Sequence, residues 1–192
     1  MSRRVVRGKT KTGQSPASSR SLAASRSPAA SRPHIEGYGI PKTKRGMVSW
    51  NDVSRAFGGV PRYWIATTDV DGAPHVQQHW GVFIDGRFFF EGGPNTRWAR
   101  NLARNPRAVV TAERLGLTIM LEGSVRAMTP DADLAEQLVK GFARKYQRTD
   151  AYTPSPENWA NDGLREMTPV RAFAWRYRSF VKSATRFAFA RS

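Results

Sequence analysis

The sequence contains no cysteine and no long hydrophobic run. The absence of cysteine excludes disulfide bonds, thiolate metal sites and a cysteine nucleophile, and it is compatible with a reducing cytoplasm. No apolar stretch approaches the roughly 20 residues that a membrane-spanning helix needs. No hydrophobic segment follows the basic N-terminus either, which disfavours a secretory signal. We therefore expect a cytoplasmic protein that makes no membrane contact.

Acidic residues are scarce near the N-terminus. Residues 1–45 hold eleven lysines and arginines but a single acid, Glu36, so they carry +10 of the total net charge of +16. A six-residue unit recurs there as SPASSR, SLAASR and SPAASR, between Ser15 and Arg32. Repeats of Ser, Ala, Pro and Arg offer no apolar surface to bury. The sequence therefore predicts a disordered tail over 1–45 and a folded domain over 46–192.

The role of this tail is open to three interpretations. It is a solubilising extension (or the product of a misassigned start codon), an organellar transit peptide, or an arm that binds nucleic acid through its charge. No aromatic residue that could stack on a base precedes Tyr38. Any contact with nucleic acid is therefore expected to be weak.

The rest of the sequence indicates six short strands. The segment SWNDVSRAFGG predicts a short helix that begins after Ser49 and ends at Gly58. Strands are expected next in RYWIATTD, PHVQQHWGVFI and RFFFEGG, because these are rich in β-branched and aromatic residues and are separated by Asp-Gly turns. Three more are expected in RAVVTAE, LTIMLEGSVRAM and VRAFAWRYRSF.

The pattern within these strands indicates their arrangement. Every second residue of LTIMLEGSVRAM, from Leu117 to Ala127, shares one mostly apolar face, as in a strand with its other face in water. In the last strand, the small residues Ala172 and Ala174 alternate with bulky aromatic side chains. Six short antiparallel strands with few helices favour a barrel over a sandwich. We predict a mainly β fold, a six-stranded antiparallel β-barrel with flanking helices.

Two further predicted helices differ in the charge of their first turns. One opens at Thr129-Pro130 with two aspartates in its first turn, as the helix dipole favours, and places apolar residues at four-residue spacing from Leu134 to Tyr146. The other, NTRWARNL at 95–102, carries Arg97 and Arg100 and no acid. Arginines are unfavourable beside the partial positive charge of a helix N-terminus unless an anion binds there.

We expect that anion to be a phosphate. The backbone amides, the Thr96 hydroxyl and the Arg97 guanidinium would converge on it. The glycines of the preceding EGGP allow the backbone to come close to a ligand. The alternative interpretation is a solvated stripe of arginines on a basic protein.

The order of these parts resembles the pyridoxamine 5′-phosphate oxidase-like split barrels, which bind a flavin. YWIATTDVDGAPHVQQHWGVFIDGRFFFEGG, NTRWARNLARNPRAVV and LEGSVRAM carry the resemblance, which extends from about Trp50 to Ala184. It implies a split β-barrel and a homodimer with a cofactor groove between the subunits. It also implies FMN or, in some branches, the deazaflavin coenzyme F420, and hydride transfer to or from a small organic substrate.

The resemblance implies particular cofactor contacts as well. The phosphate would be held at a Ser/Thr-Arg-Lys motif that is Thr96-Arg97-Trp98 here, so a tryptophan replaces one expected cation. Other contacts are implied in the second strand, at the end of the third strand and in the helix: Val76, Gln77, Gln78, His79, Trp80, Phe90, Glu91, Gly92 and Asn101. The C-terminal segment that places vitamin B6 in the oxidase itself is absent, so we do not expect vitamin B6 synthesis.

Catalytic residues stay unassigned, because hydride transfer at a flavin needs mainly binding, orientation and exclusion of water. His75 and His79 face the same way on a strand but are too far apart to share a metal, so no metal site is predicted. His79 is a proton donor, a partner of the cofactor ring, or an ordinary strand histidine. The alternative function is a non-catalytic module that holds a flavin or haem, with the tail bound to nucleic acid.

Overall fold

Strands outnumber helices in the part of the chain that the structure, a computed structural model, describes: residues 27–160 and 163–190. The strands are β1 (Ala29–Ser31), β2 (Tyr63–Thr68), β3 (Pro74–His79), β4 (Val82–Ile84), β5 (Arg87–Glu91), β6 (Arg107–Arg114), β7 (Leu117–Met128), β8 (Leu164–Arg176) and β9 (Thr185–Ala188). The helices are α1 (Trp50–Gly58), α2 (Arg97–Arg104), α3 (Ala132–Asp150) and α4 (Phe180–Ser183). Within these described ranges, no helix is both long and apolar enough to cross a membrane.

The strands form one antiparallel sheet that branches at β8. Its order is β1-β9-β8-β7-β6-β2-β3, and β5 pairs with both β4 and β8. Residues 164–167 of β8 pair with β5, whereas residues 171–174 pair with β9. Between these two parts the register against β7 shifts at Glu122/Gly123. One edge of β8 therefore pairs with β7, and the other edge pairs with β5 and then with β9. The predicted mainly β, antiparallel architecture with flanking helices is confirmed.

Within the described residues the number of strands is nine rather than the predicted six. PHVQQHWGVFI divides into β3, which pairs with β2, and β4, which pairs with β5. Between them Gly81 leaves room for the Phe88 ring, since a Cβ atom there would come within 2.4 Å of it. The other two additional strands, β1 and β9, contain only three and four residues. Strands this short show no recognisable alternation, and the Ala-Ala-Ser of β1 contains no strong β-former. Neighbouring strands, rather than local preference, therefore determine their conformation.

The folded chain begins before the predicted boundary at residue 46. Strand β1 pairs with β9, although its residues belong to the segment predicted to be a disordered tail. The Arg32 guanidinium then donates hydrogen bonds to the carbonyls of Thr43, Arg45, Lys182 and Ala184, at 2.6–3.0 Å. Residues 1–26 of the predicted tail lie outside the described residues.

The structure confirms the predicted cap of α1 and corrects the predicted start of α3. Ser49 caps α1 and accepts a hydrogen bond from the Asp52 amide at 3.1 Å, as predicted. Asp131 caps α3 and accepts from the Leu134 amide at 2.9 Å. The prediction that this helix opens at Thr129-Pro130 is wrong, because Asp131 provides the cap and the helix begins at Ala132, two residues after Pro130.

Two apolar clusters hold the helices on the sheet. The first joins α1 and α2 to the inner face of the sheet and includes Phe57, Ile65, Phe88, Trp98 and Ile119. The second joins α3 to β4 and β5 through Leu138, Phe142 and Tyr146, in the predicted four-residue spacing, and includes Trp159. The first cluster packs α2 against β2 and β3, and β3 carries four of the residues expected to bind a cofactor.

Candidate functional site

A cavity of about 210 Å³ lies where β3 and β5 end, and it is lined by Arg62, Gln78, His79, Trp80 and Glu91. All of these except Arg62 were predicted as cofactor contacts from the sequence. The pairing of Tyr63 with His79 brings the residue before β2 beside the end of β3. Arg62 was missed because a cation before a strand is common and carries no signal of its own.

A larger open groove, of about 680 Å³, lies between α1 and the β4–β5 hairpin. Its lining includes Ser54, Arg55, Phe83 and Asp85 but none of the predicted site residues. The smaller cavity brings together a guanidinium, an amide, an imidazole, an indole and a carboxylate. Because binding sites combine apolar walls with a few convergent polar groups, we take the smaller cavity as the candidate site.

His79 is the most unusual group in this cavity. It is 7% exposed, and among the described residues its Nε2 atom has no hydrogen-bond partner. Its ring lies 4.9 Å from Trp98 and 5.3 Å from Phe90, between centroids. Burial lowers the pKa of His79 to about 4, His75 lowers it further, and a bond to the Glu91 backbone carbonyl opposes the shift. At neutral pH the imidazole is therefore uncharged. A ligand in the cavity could supply the hydrogen-bond partner that its Nε2 atom lacks.

Glu91 faces the cavity but is already engaged by the loop that follows α3. Its carboxylate accepts hydrogen bonds from the Tyr152 hydroxyl and from the Trp159 indole, the latter at 2.6 Å. Burial, reinforced by the Glu91 carboxylate, raises the pKa of Tyr152 above its usual range. Glu91 therefore fastens this loop, over residues 151–160, to the wall of the cavity. The sequence alone did not reveal this role.

The side chains of Arg62 and Trp80 are held by neighbours on α3. The Trp80 ring stacks on Tyr146 at 5.2 Å, with an interplanar angle of 18°. The Arg62 guanidinium lies 5.3 Å from the centre of the indole and contacts the Asp150 carboxylate at 2.5 Å. A fixed cation and a fixed aromatic surface therefore form one side of the cavity.

The other predicted residues of β3 are exposed. β3 is the last strand of the sheet, and Val76, Gln77 and Gln78 all lie open to solvent. Strand pairing places Gln77 opposite Ile65 and Gln78 opposite Trp64, on the two different faces of the sheet. Of these three residues, Gln78 lines the cavity.

The N-terminus of α2 is open to a ligand but differs from the prediction in detail. Helix α2 begins at Arg97, with no acid in its first turn and no side-chain cap from the described residues. The Thr96 hydroxyl instead donates to the Gly93 carbonyl at 2.9 Å. Arg97 lies 3.3 Å from Asp69 in the turn before β3, a contact that the sequence did not indicate because 27 residues separate the two. The helix amides are thus free of a side-chain cap, whereas the guanidinium already has a counter-charge.

Three predicted cofactor contacts serve the packing of α2. Trp98 is 1% exposed, and its ring lies in the first apolar cluster. Gly92 leaves room for that ring, since a Cβ atom there would come within 2.8 Å of it. The Asn101 amide donates to the Thr67 hydroxyl at 3.0 Å and so ties α2 to β2. The side chains of Trp98 and Asn101 therefore face the protein, and their contact with a cofactor stays a prediction.

Behind the cavity, the Lys145 ammonium contacts a carbonyl, a hydroxyl and two aromatic rings, all of them neutral groups. Its ammonium donates to the Gly81 carbonyl at 2.7 Å and to the Tyr63 hydroxyl at 2.9 Å, and it lies over the rings of Tyr63 and Tyr146. Burial, together with the nearby guanidinium groups of Arg144 and Arg114, lowers the pKa of Lys145 to about 7.

We expect the free energy of unfolding to rise with pH between pH 7 and pH 9, by at most about 1.4 kcal/mol per pH unit. In this window the unfolded chain, with a lysine pKa of 10.5, holds a proton that the folded chain has released from Lys145. Below pH 7 both states hold the proton, and the dependence disappears. Urea unfolding at several pH values should show this slope in the wild type and not in Lys145→Met. The control Lys140→Met, which removes an exposed lysine of α3, should keep the slope of the wild type. Parallel plots of unfolding free energy against pH for the wild type and Lys145→Met would contradict the expectation.

No group of three or more His, Asp or Glu side chains that could hold a metal ion occurs in residues 27–160 and 163–190. The candidate cavity thus offers an amide, a neutral imidazole, a guanidinium and an indole beside the Glu91 carboxylate. Such a set is suited to an organic ligand that carries polar ring atoms and an anionic group.

Comparison with known families identifies the family of this chain. The family described as pyridoxamine 5′-phosphate oxidase matches residues 53–178, which is well over half of the chain. The chain therefore belongs to the pyridoxamine 5′-phosphate oxidase family, and the resemblance indicated by its sequence is confirmed. No curated protein sequence matches the chain.

Solved structures share the fold at low sequence identity. A conserved hypothetical protein of Mycobacterium tuberculosis is 20% identical, with a TM-score of 0.58 over 71% of this chain and 89% of that one. A 5-nitroimidazole antibiotic resistance protein of Bacteroides thetaiotaomicron, so described, is 14% identical, with a TM-score of 0.55 over 87% and 95%. A relative of general stress protein 26 from Clostridium acetobutylicum is 15% identical, with a TM-score of 0.51 over 72% and 92%. At these identities the likeness establishes the fold alone.

Proposed function

We propose that this protein binds FMN and transfers hydride between the flavin and a small organic substrate. The observation that carries the proposal is the cavity at the end of β3, where Gln78, His79, Trp80 and Glu91 meet. The family resemblance implies these residues as flavin contacts. Family membership and the unpaired nitrogen of His79 support the proposal independently of each other.

The residues present fit such a cofactor. The Gln78 amide, the neutral His79 ring and the Arg62 guanidinium offer polar partners for the edge of an isoalloxazine ring, and Trp80 offers an aromatic surface. The uncapped amides of α2 and the Arg97 guanidinium offer partners for its phosphate. When bound, the flavin supplies the two-electron chemistry. The role of this chain is to bind and orient the cofactor, and to exclude water through Trp80 and the loop at 151–160.

His79 is a ligand partner rather than a proton donor in this proposal. Its pKa of about 4 leaves it without an exchangeable second proton at neutral pH. A neutral imidazole that bonds through one nitrogen keeps the other available for a polar atom of a ligand. A hydrogen bond from the ligand to this nitrogen favours binding, because an unpaired buried polar atom destabilises the unliganded protein.

The binding site is proposed to be completed by a second copy of the chain. A cavity of about 210 Å³ is smaller than the roughly 300–1,000 Å³ of typical cofactor pockets. Beside it, the outer face of the sheet exposes Trp64 and Val76, at 50% and 54%. Strand pairing continues this face through Val109, Met120 and Phe173, which are half-buried. An apolar sheet face of this kind favours a homodimer interface.

The proposal is tested by identifying the bound molecule. Purified full-length protein is denatured, and the released cofactor is identified by chromatography and mass spectrometry; the protein is then equilibrated separately with FMN, with the deazaflavin coenzyme F420 and with haem. We expect FMN to bind with micromolar or tighter affinity. Preferential binding of the deazaflavin or of haem would replace FMN by that cofactor, and binding of none of the three would contradict the proposal.

A role of the basic N-terminal segment in nucleic-acid binding is a separate proposal. It is supported by the net charge of +10 over residues 1–45. The deletion that tests it removes residues 1–26 only, because β1 and Arg32 are part of the fold. Salt-sensitive retention on DNA by the full chain, lost on deletion with cofactor binding unchanged, is the expected result. No retention of the full chain would contradict it.

A further inference from the structure

Asp69, which lies outside α2, supplies the negative charge that the first turn of this helix lacks. The first turn of α2 contains no acidic residue, yet a carboxylate oxygen of Asp69 lies 3.3 Å from the Arg97 guanidinium. The contact joins the turn before β3 to the first residue of the helix. In the free protein, the cation expected to bind a phosphate is therefore already neutralised from another part of the chain.

The position of Asp69 is determined by its own turn and not by Arg97. Its other carboxylate oxygen accepts hydrogen bonds from the Asp71 amide at 3.1 Å and from the Ala73 amide at 2.8 Å. Its backbone closes the same turn, through bonds with Ala73 and Gly72. A carboxylate held by two amides cannot withdraw when a ligand arrives. Arg97, which is half-exposed on a long flexible side chain, is the partner that can turn.

An anionic ligand at the start of α2 must therefore share Arg97 with Asp69. A guanidinium has five N–H groups in a fixed plane, enough for two anions. Two anions bound to one guanidinium lie about 6 Å apart. Even in bulk water, repulsion at this distance lowers the affinity for the ligand about threefold when its anionic group is singly charged and about tenfold when it is doubly charged. The carboxylate thus opposes a phosphate dianion more strongly than a monoanion.

We infer that Asp69 is a competing carboxylate that limits the affinity of this site for doubly charged phosphate groups. The inference rests on the proposed function, since it concerns the same phosphate position. It assigns Asp69 a role in ligand selection: the site discriminates by the charge of the anionic group, through competition for Arg97, and not only by its shape.

The test compares FMN with riboflavin, which has the same ring system and no phosphate. Full-length wild type and Asp69→Asn are titrated with each flavin at low and high salt. Asparagine keeps an oxygen for the amides of the turn and removes the charge. Asp69→Asn should bind FMN three- to tenfold more tightly at low salt, and this gain should shrink at high salt. Riboflavin affinity should stay within about twofold, since no charged group is involved.

Asp71→Asn is the matched control, because it removes the same charge from the same turn. Asp71 contacts Asp69 through its backbone amide, which the substitution keeps. It should leave the FMN affinity close to that of the wild type. Unchanged or weaker FMN binding by Asp69→Asn, or an equal gain in Asp71→Asn, would overturn the inference while the proposed function stood. Failure of the wild type to bind either flavin would instead overturn the proposed function, and equal affinity for both flavins would overturn the proposed phosphate position.

Discussion

The Arg97→Ala variant should bind FMN about 10- to 150-fold more weakly than the wild type, a loss of about 1.5–3 kcal/mol. The reason is that a guanidinium forms a charge-assisted hydrogen bond with a phosphate that alanine cannot replace. The fold should survive, because the Arg97 side chain is 50% exposed and its contact with Asp69 is a surface pair, worth at most about 1 kcal/mol. Fluorescence titration with FMN measures the affinity, and urea unfolding checks the fold.

The control for Arg97 is Arg104→Ala. Arg104 is the last residue of the same helix and lies two turns from the uncapped amides, so its removal should leave FMN affinity nearly unchanged. Riboflavin should bind wild type and Arg97→Ala alike, because it lacks the phosphate. An Arg97→Ala variant with unaltered FMN affinity would show that the phosphate binds elsewhere on the protein.

Substitutions of Arg97 and Asp69 should change the FMN affinity in opposite directions, although the two residues form a single contact. Removing the cation weakens FMN binding, whereas removing the carboxylate strengthens it. A pair that served only to hold the turn against the helix would give two variants with equal losses of stability and no difference between FMN and riboflavin. The signs of the two effects therefore separate a binding site from a structural ion pair.

The Trp64→Glu variant should convert the proposed homodimer into a monomer, with a dimer dissociation constant raised about 100-fold or more. A central tryptophan commonly contributes 2 kcal/mol or more to an interface, and two buried glutamates would add unpaired charge. Trp64 is 50% exposed in the single chain, so the substitution should not disturb the fold of the subunit. Sedimentation velocity across a range of concentrations measures the change.

Loss of the dimer should also weaken flavin binding if the second copy completes the cavity. Leu115→Glu is the control: this leucine is 71% exposed but lies in the turn between β6 and β7, away from the sheet face. It should remain dimeric and bind flavin as the wild type does. A monomeric wild type, or a Trp64→Glu variant that remains dimeric, would show that this face is not the interface.

Local chemistry allowed much of the fold to be predicted. Ser49 and Asp52 indicate the start of α1 through a short-range cap, and the apolar spacing from Leu138 to Tyr146 indicates which face of α3 is buried. The alternation in β7 correctly identified Leu117, Ile119 and Leu121 as buried. Each of these signals depends on residues a few positions apart, where geometry follows directly from the helix or strand period.

Contacts between distant residues were not predictable in the same way. Gly81 leaves room for the Phe88 ring, and Gly92 leaves room for the Trp98 ring. The Glu91 carboxylate is occupied by Tyr152 and Trp159, more than 60 residues away in sequence. Nothing in the immediate neighbourhood of these residues specifies their partners, because side chains meet there only after the sheet has formed.

The amino-acid sequence by itself determined the antiparallel β architecture, the main helices and the family, because periodicity, caps and motif order are local properties. The tertiary structure alone decided which of the implied residues share a cavity, which are used for packing, and that Asp69 supplies the counter-charge of Arg97. The physical reason is that hydrogen bonds, ion pairs and burial depend on distances in space, and strand pairing sets those distances for residues far apart along the chain.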